Sequence, residues 1–362
     1  MQLFGRIGDE YEQIVVCHDA GTGLRAIVAI HSTVLGPSLG GTRFYPYATE
    51  DQAMEDVLRL ARGMTYKSAI AGLDLGGGKA VILGDPATEK SEALLRTYGR
   101  FLDSLGGRYI TAEDVGTTQA DMDLLYRETG NVSGMSPALG GSGDPSIATA
   151  YGVWWAMKAA IQSLDGTTDL GGCHVVVSGA GKVGSALIGH LVGEGAKVSV
   201  ADVNDAAVAR AVGELGVAAV PVAEAHMVPS DIYSPCAMGG VLNEGTIAAL
   251  GCRAVVGSAN NQLATVADSG RLAERGIVYA PDFVVNSGGV INIAEELVGY
   301  DHERAYANIR KIYDTTLGVL AASRERGVTT TEVAEARAEQ RLAAGGGGTR
   351  IRSFDGTARR PR

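Results

Sequence analysis

Two styles of hydrophobic patterning divide this chain. In the first third, residues 13–18 and 24–31 are β-rich runs separated by Asp19-Ala20-Gly21-Thr22-Gly23, a spacer with hairpin turn chemistry. Ala53, Met54, Val57, Leu58, Ala61 and Met64 then recur at helical spacing and predict the buried face of a helix. Thr49 is its expected cap, with Gln52 as capping-box partner, and Lys67 falls at or just past its C-terminus. After an expected turn at Gly76-Gly77-Gly78, residues 79–83 read as a strand and 89–105 as a helix. Residues 108–111 read as a strand ending in Ala112-Glu113-Asp114.

A second helix run opens at Asp144-Pro145, residues favoured at the cap and first helical position, and continues towards residue 163. From Gly172 the pattern becomes short β-rich runs alternating with Ala-rich helices, the alternation of a parallel doubly wound sheet. The expected organisation is α/β with two domains. Residues 1–144 are expected to form a mixed α/β domain, completed by C-terminal helices near 329–343. Residues 145–328 form a Rossmann-type nucleotide domain, and 344–362, with four consecutive glycines and several arginines, an unstructured basic tail.

Composition narrows the functional classes. The 362 residues are 46% apolar and 20% charged, ordinary for a folded globular protein. A net charge of 31 − 41 = −10 argues against a general nucleic-acid footprint. No apolar run reaches bilayer length, and residues 1–6 lack a signal pattern, so a cytoplasmic protein without membrane partners is expected. Cys17, Cys173, Cys236 and Cys252 form no CxxC pair and read as buried free thiols. The six histidines have no ligand spacing, so no metal is expected.

The strongest local motif follows the strand at 174–177. Gly179-Ala180-Gly181-Lys182-Val183-Gly184 is GxGxxG between a strand and a helical run at 185–195. The glycines permit the turn, close approach of a pyrophosphate and tight helix–strand packing, and the helix N-terminus offers free N–H groups. The next strand, 197–201, ends in Asp202, eighteen residues beyond Gly184. An acid there accepts ribose hydroxyls and repels a 2′-phosphate, which predicts NAD rather than NADP.

Lys67 and Lys79 are unusual in a different way. Between Met64 and Leu83 the only other charge is Asp74, and three glycines directly precede Lys79, leaving room for another group to approach it. A desolvated lysine near a second cation becomes a usable base. Taken alone, the pair reads equally well as two structural lysines with stems on apolar surface.

Seven segments together tip that balance. They are residues 36–43 (GPSLGGTR), 64–67 (MTYK), 76–79 (GGGK), 112–117 (AEDVGT), 234–240 (SPCAMGG), 258–261 (SANN) and 281–290 (PDFVVNSGGV). In order and spacing they resemble the Glu/Leu/Phe/Val amino-acid dehydrogenases, most nearly the leucine/valine branch, from about residue 10 to about 342. The resemblance implies reversible oxidative deamination: an L-amino acid, NAD⁺ and water give a 2-oxo acid, ammonium and NADH. It implies Lys67 as anchor of the substrate carboxylate, Lys79 as general base and Asp114 as acidic partner, with the glycines before Lys79 giving substrate clearance. It places Gly40 and Gly41 against the substrate, Asn260 between cofactor and substrate, and Thr149 and Ala237 near the nicotinamide. It also implies that residues 1–144 are the substrate-binding and oligomerisation domain, with an interdomain cleft and a homo-oligomer assembled through that domain, for which residues 13–31 offer an edge. Cys236 reads as packing.

Leu39, Ala112, Val290 and Ile293 match the family's pocket-lining positions, and all are apolar. Glutamate-specific relatives carry a basic group at the position of Leu39, and an unpaired buried carboxylate there is costly. Ala112, where phenylalanine-specific relatives commonly have glycine, and branched Val290 favour a smaller aliphatic side chain. Leucine, valine and isoleucine are then the expected substrates. Ser258 and Ser287 replace alanines usual in the family. The rivals are a phenylalanine dehydrogenase with an atypical pocket, a catalytically silent NAD-binding regulator, and a one-carbon-folate or malic-type dehydrogenase.

Overall fold

A computed structural model of the chain describes residues 5 and 10–345. The expected tail lies outside these residues, except that Ala344 and Gly345 end a helix. Two compact units result. One comprises the chain up to Asp144, Ile293–His302 and the chain from Ala338; the other comprises Pro145–Asn292 and Glu303–Arg337. The units differ from the sequence-based division in two places. Residues 293–302 group with the first unit, and the C-terminal chain rejoins it from Ala338, not from 329.

The first unit is built on a five-stranded sheet. Its strands are β1 (Gln13–Asp19), β2 (Leu24–Ser32), β3 (Ser38–Tyr45), β4 (Gly76–Leu83) and β5 (Tyr109–Glu113), in the order β1-β2-β4-β3-β5. The β1–β2 hairpin forms as expected, with Asp19 accepting from the backbone and hydroxyl of Thr22. Strand β3 runs parallel to both β4 and β5. Helix α1 (Glu50–Ile70) packs on one face against Ala29, Val81 and Leu83. Helices α2 (Glu92–Asp103) and α3 (Gln119–Tyr126) cover the other, around Tyr98, Tyr109 and Ile82.

Three details differ from the sequence reading. Gly76, Gly77 and Gly78 are not a turn but the first residues of β4. A Cβ on Gly77 would stand 2.0 Å from the backbone nitrogen of Thr65 in α1, and one on Gly76 1.9 Å from Ser32 O. The glycines therefore clear space for protein backbone beside the strand. Strand β3 itself carries no apolar–polar alternation, because Gly40 and Gly41 interrupt it. In α1 the Thr49 side chain accepts from Gln52 N as expected, but Lys67 lies within the last turn; Met64 is half-buried, and Thr65 and Ser68 are buried instead.

The last described helix (Thr330–Gly345) reaches α1 through its C-terminal part. Arg341 donates to the carbonyls of Ser68 (3.3 Å) and Ala69 (3.0 Å) and pairs with Asp74. It thus adds a side-chain donor to two carbonyls that already accept from Leu73 N and Gly72 N where α1 ends, next to Lys67.

The second unit contains a six-stranded, fully parallel sheet. It comprises β6 (His174–Ser178), β7 (Lys197–Ala201), β8 (Ala218–Ala219), β9 (Ser230–Pro235), β10 (Cys252–Val255) and β11 (Val278–Tyr279), in the order β11-β10-β9-β6-β7-β8. The chain starts in the middle and winds outward both ways, so β6 and β9 flank the topological switch point where such sheets open a crevice. Helices α4 (Pro145–Asp165) and α5 (Lys182–Gly193) pack together on it. Cys17 and Cys252 are buried, whereas Cys173 and Cys236 are only half-buried; all four are free thiols. Among the described residues, no helix is long and apolar enough to cross a membrane.

Candidate active site

Side chains two apart on a strand share a face, and this places Gly41, Arg43, Lys79 and Ala112 on the α1 side of the first sheet. Lys79, 4% exposed, donates from Nζ to Asp114 Oδ1 at 2.7 Å. Asp114 directly follows β5, and its backbone N–H donates to Thr117 Oγ1 (2.8 Å), which in turn donates to Thr42 O (2.8 Å). The other carboxylate oxygen, Oδ2, accepts from Arg43 Nε at 2.8 Å. Burial pushes the Asp114 carboxyl upward, but the adjacent charges and hydrogen bonds of Lys79 and Arg43 outweigh it and bring its pKa to about 2. The partner of Lys79 is thus a firmly ionised carboxylate that carries the Arg43 guanidinium on its other oxygen.

Around this pair the sheet is tightly fitted. A Cβ on Gly41 would lie 2.9 Å from Asp114 Cβ and 2.5 Å from Glu113 O, so only glycine lets the end of β5 sit beside β3. Gly40 would collide with Gly78 O at 1.8 Å. Leu39 pairs with Ile110 and with Gly77, and Ala112 with Gly41. Leu39, Ala112, Val290 and Ile293 are all buried. Ile293 groups with the first unit, where its carbonyl accepts from Ser133 Oγ.

In the second unit the glycine motif turns at the end of β6. Gly179 has φ +118°, and a Cβ there would stand 2.9 Å from Ala237 Cβ and N. The fold therefore brings Gly179 and Ala237 together at the switch point between β6 and β9. A Cβ on Gly184 would lie 1.9 Å from Gly179 O, whereas one on Gly181 meets nothing within 4 Å. Gly181 caps α5 without a side-chain hydrogen bond, and Lys182, Val183 and Gly184 form the first turn. Such an end presents N–H groups to an anion, so these residues fit a dinucleotide pyrophosphate. Helix α5 starts at Lys182, three residues before the expected 185. Asp202, after β7, accepts from Ala180 N (2.6 Å) and Asn204 N (2.8 Å), which ties it to the glycine turn.

Asn286 Nδ2 donates to Asn260 Oδ1 (2.8 Å) and Ser258 O (3.1 Å). Thr149 Oγ1 donates to Pro145 O at 3.0 Å, and a Cβ on Gly289 would meet that hydroxyl at 2.6 Å. Ser287 turns its hydroxyl inward onto Val284 O, so the residue that replaces the usual alanine is internally satisfied.

Sequence reasoning quoted Arg43 without giving it a role and passed over Asp56 and Tyr47. Arg43 Nη1 donates to Asp56 Oδ2 (2.8 Å), which also accepts from Tyr47 Oη (2.6 Å), while Arg59 Nη2 donates to Asp56 Oδ1 (2.9 Å). The available signal was an aspartate beside the apolar stripe of α1, between Met54 and Val57.

A parallel Rossmann-type sheet, a separate α/β unit and a buried lysine–carboxylate pair define the class as a two-domain dehydrogenase. Residues 11–131 match the profile "Glu/Leu/Phe/Val dehydrogenase, dimerisation domain", and 140–213 and 207–343 match "Glutamate/Leucine/Phenylalanine/Valine dehydrogenase". The chain is 53% identical over 333 residues to a leucine dehydrogenase of Geobacillus stearothermophilus, covering 92% of this chain and 91% of that protein. It is 52% identical over 337 residues to a valine dehydrogenase of Streptomyces coelicolor, with 92% of each covered. Among solved structures, L-tryptophan dehydrogenase from Nostoc punctiforme superposes with a TM-score of 0.82 at 40% identity, covering 94% of this chain and 98% of that one. The chain belongs to the Glu/Leu/Phe/Val dehydrogenase family and is an amino-acid dehydrogenase.

Proposed function

We propose that this enzyme catalyses the reversible, NAD-dependent oxidative deamination of branched-chain aliphatic L-amino acids. The observation that carries the proposal is the Lys79–Asp114 pair, two groups of unlike charge 2.7 Å apart and largely withdrawn from water. NAD, when bound, supplies the hydride acceptor. Lys67 holds the substrate carboxylate, and Gly40 and Gly41 leave backbone open against it. Asp114 takes a proton from the substrate ammonium group and returns one to the departing amine. Lys79, which gives up its own proton to solvent once substrate is bound, takes the proton of the water that attacks the iminium carbon. The short Lys79–Asp114 contact lets that proton pass on to Asp114 after Asp114 has protonated the departing amine.

Gly179, Gly181, Lys182, Val183 and Gly184 hold the pyrophosphate in this reading, and Asp202 the adenosine ribose. A carboxylate has about four lone-pair sites, so Asp202 retains acceptors for ribose hydroxyls beyond its two backbone donors. Thr149 and Ala237 serve the nicotinamide end, and Asn260, oriented by Asn286, bridges cofactor and substrate. The aliphatic preference is supported by buried, apolar Leu39, Ala112, Val290 and Ile293 and by the leucine and valine dehydrogenases cited above. A homo-oligomer is supported by the dimerisation-domain match and by β1 lying at a sheet edge. A cytoplasmic setting suits an enzyme that needs NAD and free amino acids together.

A second reading, an aromatic amino-acid dehydrogenase, is favoured only by the structural match to tryptophan dehydrogenase. A panel of leucine, valine, isoleucine, phenylalanine, tryptophan and glutamate, followed as NADH absorbance, separates the readings. The aliphatic substrates are expected to have the highest kcat/KM. A higher value for phenylalanine or tryptophan would overturn the assignment.

A further inference from the structure

We propose that Arg43 is a positioning residue for the Lys79–Asp114 pair: anchored by Asp56 and Tyr47, its guanidinium fixes the Asp114 carboxylate with Oδ1 towards Lys79. The inference rests on the reading that this pair moves protons. Arg43 Nε reaches Asp114 Oδ2 and Nη1 reaches Asp56 Oδ2, each at 2.8 Å. One planar fork thus links a residue after β5 to one on α1. Asp56 is itself held by Tyr47 and Arg59, so the guanidinium is clamped rather than free to follow Asp114.

The consequence is an asymmetric carboxylate. Oδ2 is occupied by a group that never gives up its proton, while Oδ1 faces a lysine that can. Proton exchange is then confined to Oδ1, where geometric precision matters most. The groups that hold Asp114 are Lys79 from β4 and Arg43 from β3, with Asp56 of α1 behind Arg43; the Tyr109 phenol of β5 lies on the opposite face of the sheet and donates to Gly40 O. A purely structural link between β3 and α1 would predict lost stability but full kcat in a folded Arg43→Lys enzyme, which keeps the charge beside Asp114.

The test uses the full chain and compares Arg43→Gln, Arg43→Lys, Asp56→Asn and Asp114→Asn. For each, kcat, KM, the pH profile of kcat/KM, NADH affinity by fluorescence and Tm are measured. Arg43→Gln is expected to lower kcat about 10- to 100-fold and to move the acidic limb upward by about one pH unit or more. NADH affinity should stay within about twofold, since the cofactor residues are untouched. Arg43→Lys restores a charge but not a fork, so it keeps the limb near its original place and still loses kcat. Asp56→Asn leaves the Arg43 charge but loosens it, giving a several-fold lower kcat. An unmoved limb in folded Arg43→Gln, or an Arg43→Lys variant with full kcat, overturns the proposal. Should Arg43→Gln fail to fold, Arg43→Lys alone decides. If Asp114→Asn retains turnover, the proton-pair reading fails first; if it is inactive and the limb in Arg43→Gln is unmoved, only the positioning role fails.

Discussion

In the first unit the groups assigned to chemistry are long charged side chains, Lys79, Asp114 and Arg43, meeting on one face of a sheet under α1. In the second unit the groups assigned to the cofactor are mostly backbone, exposed by what Gly179, Gly181 and Gly184 lack. Both units rely on glycine, for different ends. Gly41 and Gly77 let protein approach protein, at Glu113 and Thr65, whereas Gly181 faces open space at the end of α5. A buried ion pair is sensitive to the loss of one partner. A backbone crevice is sensitive to the addition of one methyl group.

That contrast can be broken experimentally, and the largest effect should come from within the glycine motif itself. Gly184→Ala places a Cβ 1.9 Å from Gly179 O and should distort the turn enough to abolish NADH binding or folding. Gly181→Ala meets no protein atom within 4 Å, so Tm should hold within about 1 °C while NADH affinity drops about tenfold or more. Thermal melts paired with NADH titrations check both, and equal effects on stability would remove the distinction between them. Next, Asp202→Ala should reduce the preference for NAD over NADP by about 10- to 100-fold, seen in the ratio of kcat/KM values. An unchanged ratio would take Asp202 out of ribose recognition.

An effect confined to acid pH belongs to His31 in the first unit. Its Nδ1 pairs with Thr65 Oγ1 at 2.9 Å and its ring meets Tyr11 edge-on. Burial, with some help from Arg62, lowers its pKa from 6.5 to about 4. The folded state keeps His31 neutral, so the unfolded chain binds the proton first as pH falls. Stability is then lost progressively between pH 6.5 and about 4, by up to roughly 3 kcal/mol. Urea unfolding of wild type and His31→Gln across that range should show a shallower pH slope in the variant.

The sequence made the second unit the more legible of the two. Its strands alternate with helices, and the glycine motif sits where a strand meets a helix, so the contact of Gly179 with Ala237 follows from the switch-point topology. In the first unit the β1–β2 hairpin and the apolar face of α1 were legible because each has a clean period. Strand β3 and the start of β4 were not. Glycine runs look like turns to any local reading, and only the neighbouring backbones of Ser32, Thr65 and Gly78 explain why they sit in strands. The Arg43–Asp56 link was hidden for a related reason: it joins residues from different elements, and no periodicity encodes a contact across a sheet–helix interface. Asp114 as the carboxylate beside Lys79 came from motif order alone, 35 positions apart in sequence.

The most direct test of the division of labour is one variant measured two ways. Lys79→Ala should lower leucine-dependent NADH formation by about 10²- to 10⁴-fold while leaving the NADH dissociation constant within about twofold of wild type. Near-normal deamination by a correctly folded Lys79→Ala enzyme would contradict the account.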